Sequence, residues 1–187
     1  MLQIPFQYDH SPLIASSEGS FKNGTVVVEL KKKRGIIDKA GKTVIPIEYK
    51  DIRNFSEGLA VVRKKLKYGY IDAKKKLIIP YAFYSAGNFS EGLASFEKDE
   101  LYGFIDKEKK IVIPADYDEI TDFKDGISFV QKEDKKGIID SKNNFILPCE
   151  MDDMDEVLPN MFVLTKKDKI AYFNLKSRKY IWKEEGF

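Results

Sequence analysis

The most constraining feature of this chain is a repeat of 34 residues that runs without insertion or deletion. A glycine ahead of two apolar residues and an aspartate recurs at Gly35, Gly69, Gly103 and Gly137, in the sequences RGIID, YGYID, YGFID and KGIID. The same step separates Pro46, Pro80, Pro114 and Pro148, then Phe21, Phe55, Phe89 and Phe123, then Gly24, Gly58, Gly92 and Gly126. A fifth, decayed copy stays in frame, with Ala171-Tyr172-Phe173-Asn174 in the glycine column and Asn160 where the other copies have Gly. Self-similarity at this period means stacked small units, none of which buries a hydrophobic face alone.

Within each unit the apolar residues alternate or run in short blocks between Gly, Asp, Asn and Lys clusters. They never recur at helical spacing over ten residues, so the elements are strands. Three fit each copy: a first at 25–30, 59–63, 93–97, 127–131 and 161–165, a second over the glycine-to-aspartate segments, and a third at 44–45, 77–79, 111–113 and 145–147. Links such as Asp38-Lys39-Ala40-Gly41-Lys42 suit tight hairpins, with Gly41 left-handed and Asp38 supplying a side-chain turn bond. The proline after the third strand has no N–H to donate and is expected to end the ladder there. A crossover follows over 47–55, in which Tyr49, like Phe83 and Tyr117 in later copies, is expected to pack one unit against the next.

The chain is therefore predicted to be all-β: a single repeat array over 1–187 made of tandem 34-residue, three-stranded antiparallel meanders, forming an open, twisted, β-solenoid-like stack. Units fall at about 21–46, 55–80, 89–114, 123–148 and 157–182. Residues 1–20 are expected to be the end of a preceding partial unit, since Ile4-Pro5-Phe6-Gln7-Tyr8-Asp9 echoes Ile113-Pro114-Ala115-Asp116-Tyr117-Asp118. A closed five-bladed propeller is the alternative; the polar fifth copy reads as an end cap and favours the open form.

Segments such as Tyr102-Gly103-Phe104-Ile105-Asp106-Lys107, then Ile111-Val112-Ile113-Pro114, with Phe55-Ser56-Glu57-Gly58-Leu59-Ala60-Val61-Val62, resemble the bacterial WG-repeat family over nearly the whole chain. The family's Trp column here holds Arg34, Tyr68, Tyr102, Lys136 and Ile170, so no copy keeps the Trp. What the resemblance implies is a β-rich repeat module that supports interactions, with tyrosine providing a similar packing surface.

Composition removes several function classes. With 43% hydrophobic and 33% charged residues the chain is globular rather than disordered. One cysteine, Cys149, and one histidine, His10, cannot make a disulfide framework or a zinc site of the usual spacing. Cys149 reads as a small apolar filler and His10 as a surface residue. No apolar run reaches the roughly 18–20 residues that span a bilayer, and the first twenty residues lack the pattern of a secretion signal. No membrane span and a cytoplasmic location are expected. There is no Ser/His/Cys constellation and no phosphate-cradling glycine loop. The aspartates Asp38, Asp72, Asp106 and Asp140 could be read as calcium or acid/base ligands, but a repeat sets identical residues at a regular pitch, whereas catalysis needs unlike groups in one pocket. Turn formation is the better account, and the chain is expected to be no enzyme and to hold no cofactor or metal.

The net charge of +2 hides an uneven distribution. Residues 21–80 carry 16 Lys/Arg against 6 Asp/Glu, whereas 81–162 carry 9 against 19. The basic candidates are Lys31, Lys32, Lys33 and Arg34, then Arg63, Lys64 and Lys65, which stacking would align, with Tyr68 and Tyr102 as accompanying aromatics. The acidic candidates are Asp152, Asp153 and Asp155, in a run read as a solvated loop before the last unit. Opposite poles on one rigid array suit the orientation of a polar partner. The leading expectation is a non-catalytic module binding another protein in a scaffold, toxin-neutralising or envelope-associated role. Nucleic-acid binding through the basic tips of residues 31–76 and a carboxylate-based hydrolase are the alternatives, and neither is preferred.

Overall fold

A computed structural model describes residues 21–187. The echo at 4–9 and His10 lie outside the described residues. The elements are all strands, gathered into five small antiparallel sheets that follow one another and do not close into a ring. The first sheet holds β1 (Thr25–Leu30), β2 (Lys33–Asp38) and β3 (Thr43–Tyr49). The second holds β4 (Asp51–Ile52), β5 (Leu59–Lys64), β6 (Lys67–Asp72) and β7 (Leu77–Phe83). The third holds β8 (Leu93–Lys98), β9 (Leu101–Asp106) and β10 (Ile111–Tyr117). The fourth holds β11 (Glu119–Ile120), β12 (Ile127–Lys132), β13 (Lys135–Asp140) and β14 (Phe145–Met151). The fifth holds β15 (Asp153–Leu158), β16 (Met161–Lys166), β17 (Lys169–Asn174) and β18 (Lys179–Lys183).

The turns obey the sequence. Asp38 Oδ1 accepts the N–H groups of Ala40 and Lys42, and Asp72 and Asp140 repeat the arrangement in their own links. Gly41 stands at φ 78°, in the left-handed region the link requires.

Two readings need correction. Proline does not end the third strand: β3, β7, β10 and β14 each run three residues past it. In the first sheet Ile36 pairs with Ile45 but Arg34 pairs with Tyr49, so β3 bulges around Pro46, where no N–H is needed by the ladder. The bulge presses its backbone onto the repeat glycine. A Cβ on Gly35 would lie 2.7 Å from Ile45 O, and one on Gly103 2.5 Å from Ile113 O. At position 171, where the residue is Ala, the register has moved so that Tyr172 faces Trp182. The second correction concerns the acidic run at 152–156. Most of it is not a loop but β15, a six-residue first strand of the last sheet, paired with β16. Crossover segments likewise supply β4 and β11, so the sheets have three or four strands rather than three throughout.

The core lies between successive sheets. Ile36 and Ile45 of the first sheet share one buried cluster with Ala60, Val62 and Ile71 of the second. Phe83 packs across the next junction on Phe96, with ring centroids 4.9 Å apart. The deeper wedges belong to the phenylalanine column: Phe89 meets Tyr70 at 5.0 Å and Phe123 meets Phe104 at 4.6 Å, both edge to face. Each fully buried side chain of this size is worth about 1.5–3 kcal/mol. A polar ladder runs beside the wedges. Ser56 Oγ donates to Phe89 O at 2.6 Å, and Ser90 Oγ donates to Phe123 O at 2.7 Å. Glu57 accepts from Gly92 N, and Glu91 from Asp125 N and Gly126 N. The Phe-Ser-Glu-Gly motif is thus the joint between units. On the last sheet Tyr172 and Trp182 remain partly exposed, whereas the register pair Ile138 and Leu147 of the fourth is buried.

Candidate functional site

Each sheet projects a two-residue hairpin between its central strands. Lys31 and Lys32 form the first tip with φ of 51° and 60°, and Asp99-Glu100, Glu133-Asp134 and Lys167-Asp168 adopt the same doubly left-handed turn. Asn-Gly suits such a turn without strain, whereas a residue with a Cβ there costs roughly 1–2 kcal/mol. Charged pairs are nonetheless held at every one of these tips. Lys65 leads the second tip, at φ 55°. The row of tips therefore runs basic, basic, acidic, acidic, mixed.

In the fourth and fifth copies each tip is clamped by an aspartate of the link that leads into its sheet. Asp118 Oδ2 accepts Glu133 N at 2.6 Å, and Asp152 Oδ2 accepts Lys167 N at 2.6 Å. Asp152 also pairs with Lys135, and Asp116 and Glu150 pair with Lys132 and Lys166. The column that holds Asp152 and Asp118 holds Tyr84 in the second copy and Lys50 in the first. Lys67, the repeat equivalent of Lys135, accordingly lies over the Tyr84 ring, 2.9 Å from its centroid. In the first copy the equivalent pair is Lys33 and Lys50, two like charges.

The result is a groove of about 480 Å³ between the first two sheets, lined by Lys33, Lys50, Arg63, Lys64, Lys65, Tyr49, Tyr81 and Glu48. Five cations face one carboxylate. Lys64 lies 5.9 Å from the centroid of Tyr81. Burial, the neighbouring Tyr81 and Glu48 push the Tyr49 phenol above its usual value, and burial with Glu48 does the same for Tyr81. Both phenols therefore stay protonated and can donate hydrogen bonds. Cations and phenol donors converging on one concavity are chemistry for a carboxylate or phosphate.

Of the residues singled out in the sequence, Lys33, Arg63, Lys64 and Lys65 meet in this groove. Lys31 and Lys32 form the adjoining tip. Arg34 is engaged elsewhere: its Nε donates to Glu29 at 3.0 Å and its Nη1 to Asp51 at 2.8 Å. These partners outweigh burial and hold its guanidinium charged. Tyr68 carries the guanidinium groups of Arg53 and Arg63 over its ring and donates to Asp51 at 3.4 Å, so it braces the second sheet. Tyr102 stands on β9 in register with Glu97 and Tyr117, in the third sheet. Two of the three acidic candidates form ion pairs within the chain. Asp152 pairs with Lys135, Asp153 with Lys136, and Asp155 is exposed on β15 near enough to Lys136 to raise its pKa. Cys149 is half-buried, and desolvation pushes its thiol up, away from the reactive thiolate. Among the described residues no group of three or more His, Cys, Asp and Glu is arranged to hold a metal ion, and no helix is long and apolar enough to cross a membrane.

Lys50, Tyr49 and Tyr81 were not among the site residues read from the sequence. The signal for Lys50 lay in the column 50, 84, 118, 152, where Lys, Tyr, Asp and Asp stand at one structural position.

A family model described as WG containing repeat matches residues 35–67, 68–102 and 102–135. No curated protein matches the chain by sequence. Among solved structures, a form of KlHsv2 with loop 6CD replaced by a Gly-Ser linker is similar with a TM-score of 0.53 and 11% identity, over 88% of this chain and 65% of that one. Kluyveromyces lactis Hsv2 gives 0.50 and 12% over 86% and 60%, and a eukaryotic initiation factor gives 0.50 and 10% over 87% and 53%. The chain thus spans between 53% and 65% of the length of these neighbours. At such identity the likeness is one of fold, to β-propeller and repeat proteins.

Proposed function

Because the chain belongs to the WG-containing repeat family and its five sheets form an open array, we propose that it is a non-catalytic module that binds another protein, taking an acidic segment of that partner into the groove between the first two sheets. The observation that carries this reading is Lys50. It stands where Asp118 and Asp152 clamp later tips, and it faces Lys33 and the second tip across an open groove. A carboxylate from outside replaces the one the column has lost.

The length of the basic stretch favours a protein over a nucleic acid. A phosphate backbone continues with the same charge, yet two sheets along the array the tips become Asp99-Glu100 and Glu133-Asp134. A continuing polyanion is repelled there, whereas a protein surface with a short acidic patch beside basic residues matches both poles. Tyr68, an aromatic beside the basic run that could otherwise stack on bases, is covered by arginines.

The test is a pull-down from lysate of the protein's own source, untreated and nuclease-treated, run beside Lys50→Asp and the double variant Lys64→Glu/Lys65→Glu. The expected result is a stoichiometric protein retained by the parent chain, released by rising salt and lost from both variants. Bound nucleic acid that vanishes with nuclease, or equal retention by the variants, contradicts the reading.

A further inference from the structure

The fifth sheet leaves bare a face that the other four bury. In the column Ile36, Tyr70, Phe104 and Ile138 every side chain is fully buried, and in the column Ile45, Ile79, Ile113 and Leu147 none is more than 1% exposed. Each pair is covered by the sheet that follows; Ile138 and Leu147 share their buried cluster with Phe162, Leu164 and Phe173. One repeat further on, Tyr172 is 39% exposed and Ile181 56%.

Directly opposed residues of antiparallel strands share a face, and the register draws one row across this sheet: Asp155, Val163, Tyr172 and Trp182. The Tyr172 and Trp182 rings stand 6.0 Å apart, and Trp182 is half exposed. Ile170, two residues before Tyr172, lies on the same side and is also exposed. The face carries opposite charges at the two ends of β18. Lys179 opposes Asn174 at one end, and Glu184, whose N–H bonds Ile170 O, stands just past the other.

We infer that this face is covered by the same face of a second copy of the chain, in a two-fold dimer. With the strands antiparallel across the interface, Lys179 of each copy meets Glu184 of the other, and Ile170, Tyr172, Ile181 and Trp182 fill the space between. Asp155 closes the row at the β15 edge, where the two-fold opposes it to itself, so the contact centres on β17 and β18. Two other arrangements fail. Pairing two β18 edges about Ile181 sets Lys179 directly against Lys183, like charge against like. Head-to-tail stacking needs the outward face of the first sheet, where Val26, Val28 and Ile37 are already buried beside Phe21 and Ile47. The dimer does not depend on the groove between the first two sheets.

Trp182 is the only tryptophan, so its emission reports on this face alone. The test is sedimentation velocity and fluorescence of the whole protein from about 1 µM to 1 mM. The expected result is a monomer that passes to a dimer and no further, with Trp182 emission moving to shorter wavelength as the ring leaves water. Ile181→Lys, at an exposed position, abolishes the dimer. Lys179→Glu and Glu184→Lys each weaken it about tenfold, and an equimolar mixture of the two restores it, because the mixed pair regains both opposite-charge contacts. Mixing does not repair a folding defect. Lys50→Asp leaves the dimer unchanged. The inference is overturned if the protein stays monomeric at the highest concentration, if association continues to longer oligomers, if Ile181→Lys associates as the parent does, or if the mixture behaves as its separate components.

Discussion

Lys33 and Lys50 line one groove at the repeat positions where Lys135 and Asp152 form an ion pair. A single column change, Asp to Lys, turns an internal clamp into two cations that share a concavity. Restoring the acid with Lys50→Asp should rebuild the clamp, with Lys33 paired and the Lys65 N–H bonded. Stability should stay level or rise by about 0.2–1 kcal/mol, the worth of an exposed pair, while binding of an acidic partner falls. Thermal unfolding and a binding titration on the same samples separate the two effects.

The strained first tip makes a second opposition between stability and binding. Replacing Lys31-Lys32 by Asn-Gly removes the Cβ at one positive-φ position and places at the other an Asn, whose short polar side chain tolerates that backbone. Stabilisation of about 1–2 kcal/mol is expected, read as a shift in the urea midpoint at unchanged slope. Affinity for an acidic partner should decline, because two charges at the groove's edge are removed.

The glycine column tests the packing of the bulge. Gly103→Ala puts a Cβ 2.5 Å from Ile113 O on a backbone with little freedom to move. A loss of about 1–3 kcal/mol is expected from overpacking. Ala171→Gly, at the one copy whose register has already shifted, should lack that clash relief and cost about 1 kcal/mol for chain entropy and lost contacts. Chemical denaturation of both variants gives the comparison.

Acid should loosen the junction held by Glu57. Burial works against its ionisation, yet the bond from Lys107 at 2.9 Å and those from Gly92 N hold its pKa below the ordinary 4.5. A group whose folded pKa is depressed stabilises the fold above its unfolded value and loses that contribution as pH falls through the folded one. The stability gap between the parent and Glu57→Gln should thus be full at neutral pH and close below 4.5. Hydrogen exchange of the Gly92 amide against pH reads it directly.

The repeat frame made the strands, turns and stacking legible, because Gly35, Asp38, Pro46 and Phe55 each mark a fixed place in the unit. The proline was misread for a physical reason. It ends a regular ladder, but in a bulge its missing N–H is no loss, and β3 continues to Tyr49. The acidic strand β15 was hidden because Asp and Glu have low strand propensity; from the neighbouring sheet Lys136 neutralises its first residue, Asp153, and Lys135 the Asp152 before it. The groove was half legible. Lys33, Arg63, Lys64 and Lys65 announced themselves as charge runs, whereas Lys50 gains meaning only when compared with its column mates, and Tyr49 and Tyr81 only once the stacking of the first two sheets brings them to one groove.

The central claim is that Lys50 opens a site for an acidic segment. Its most direct test is calorimetric titration of an octapeptide of mixed Asp and Glu into the parent chain and Lys50→Asp, at two salt concentrations. The expected result is binding by the parent that weakens with salt and is at least about tenfold weaker in the variant, with circular dichroism unchanged. Equal affinity in the two proteins would contradict the account.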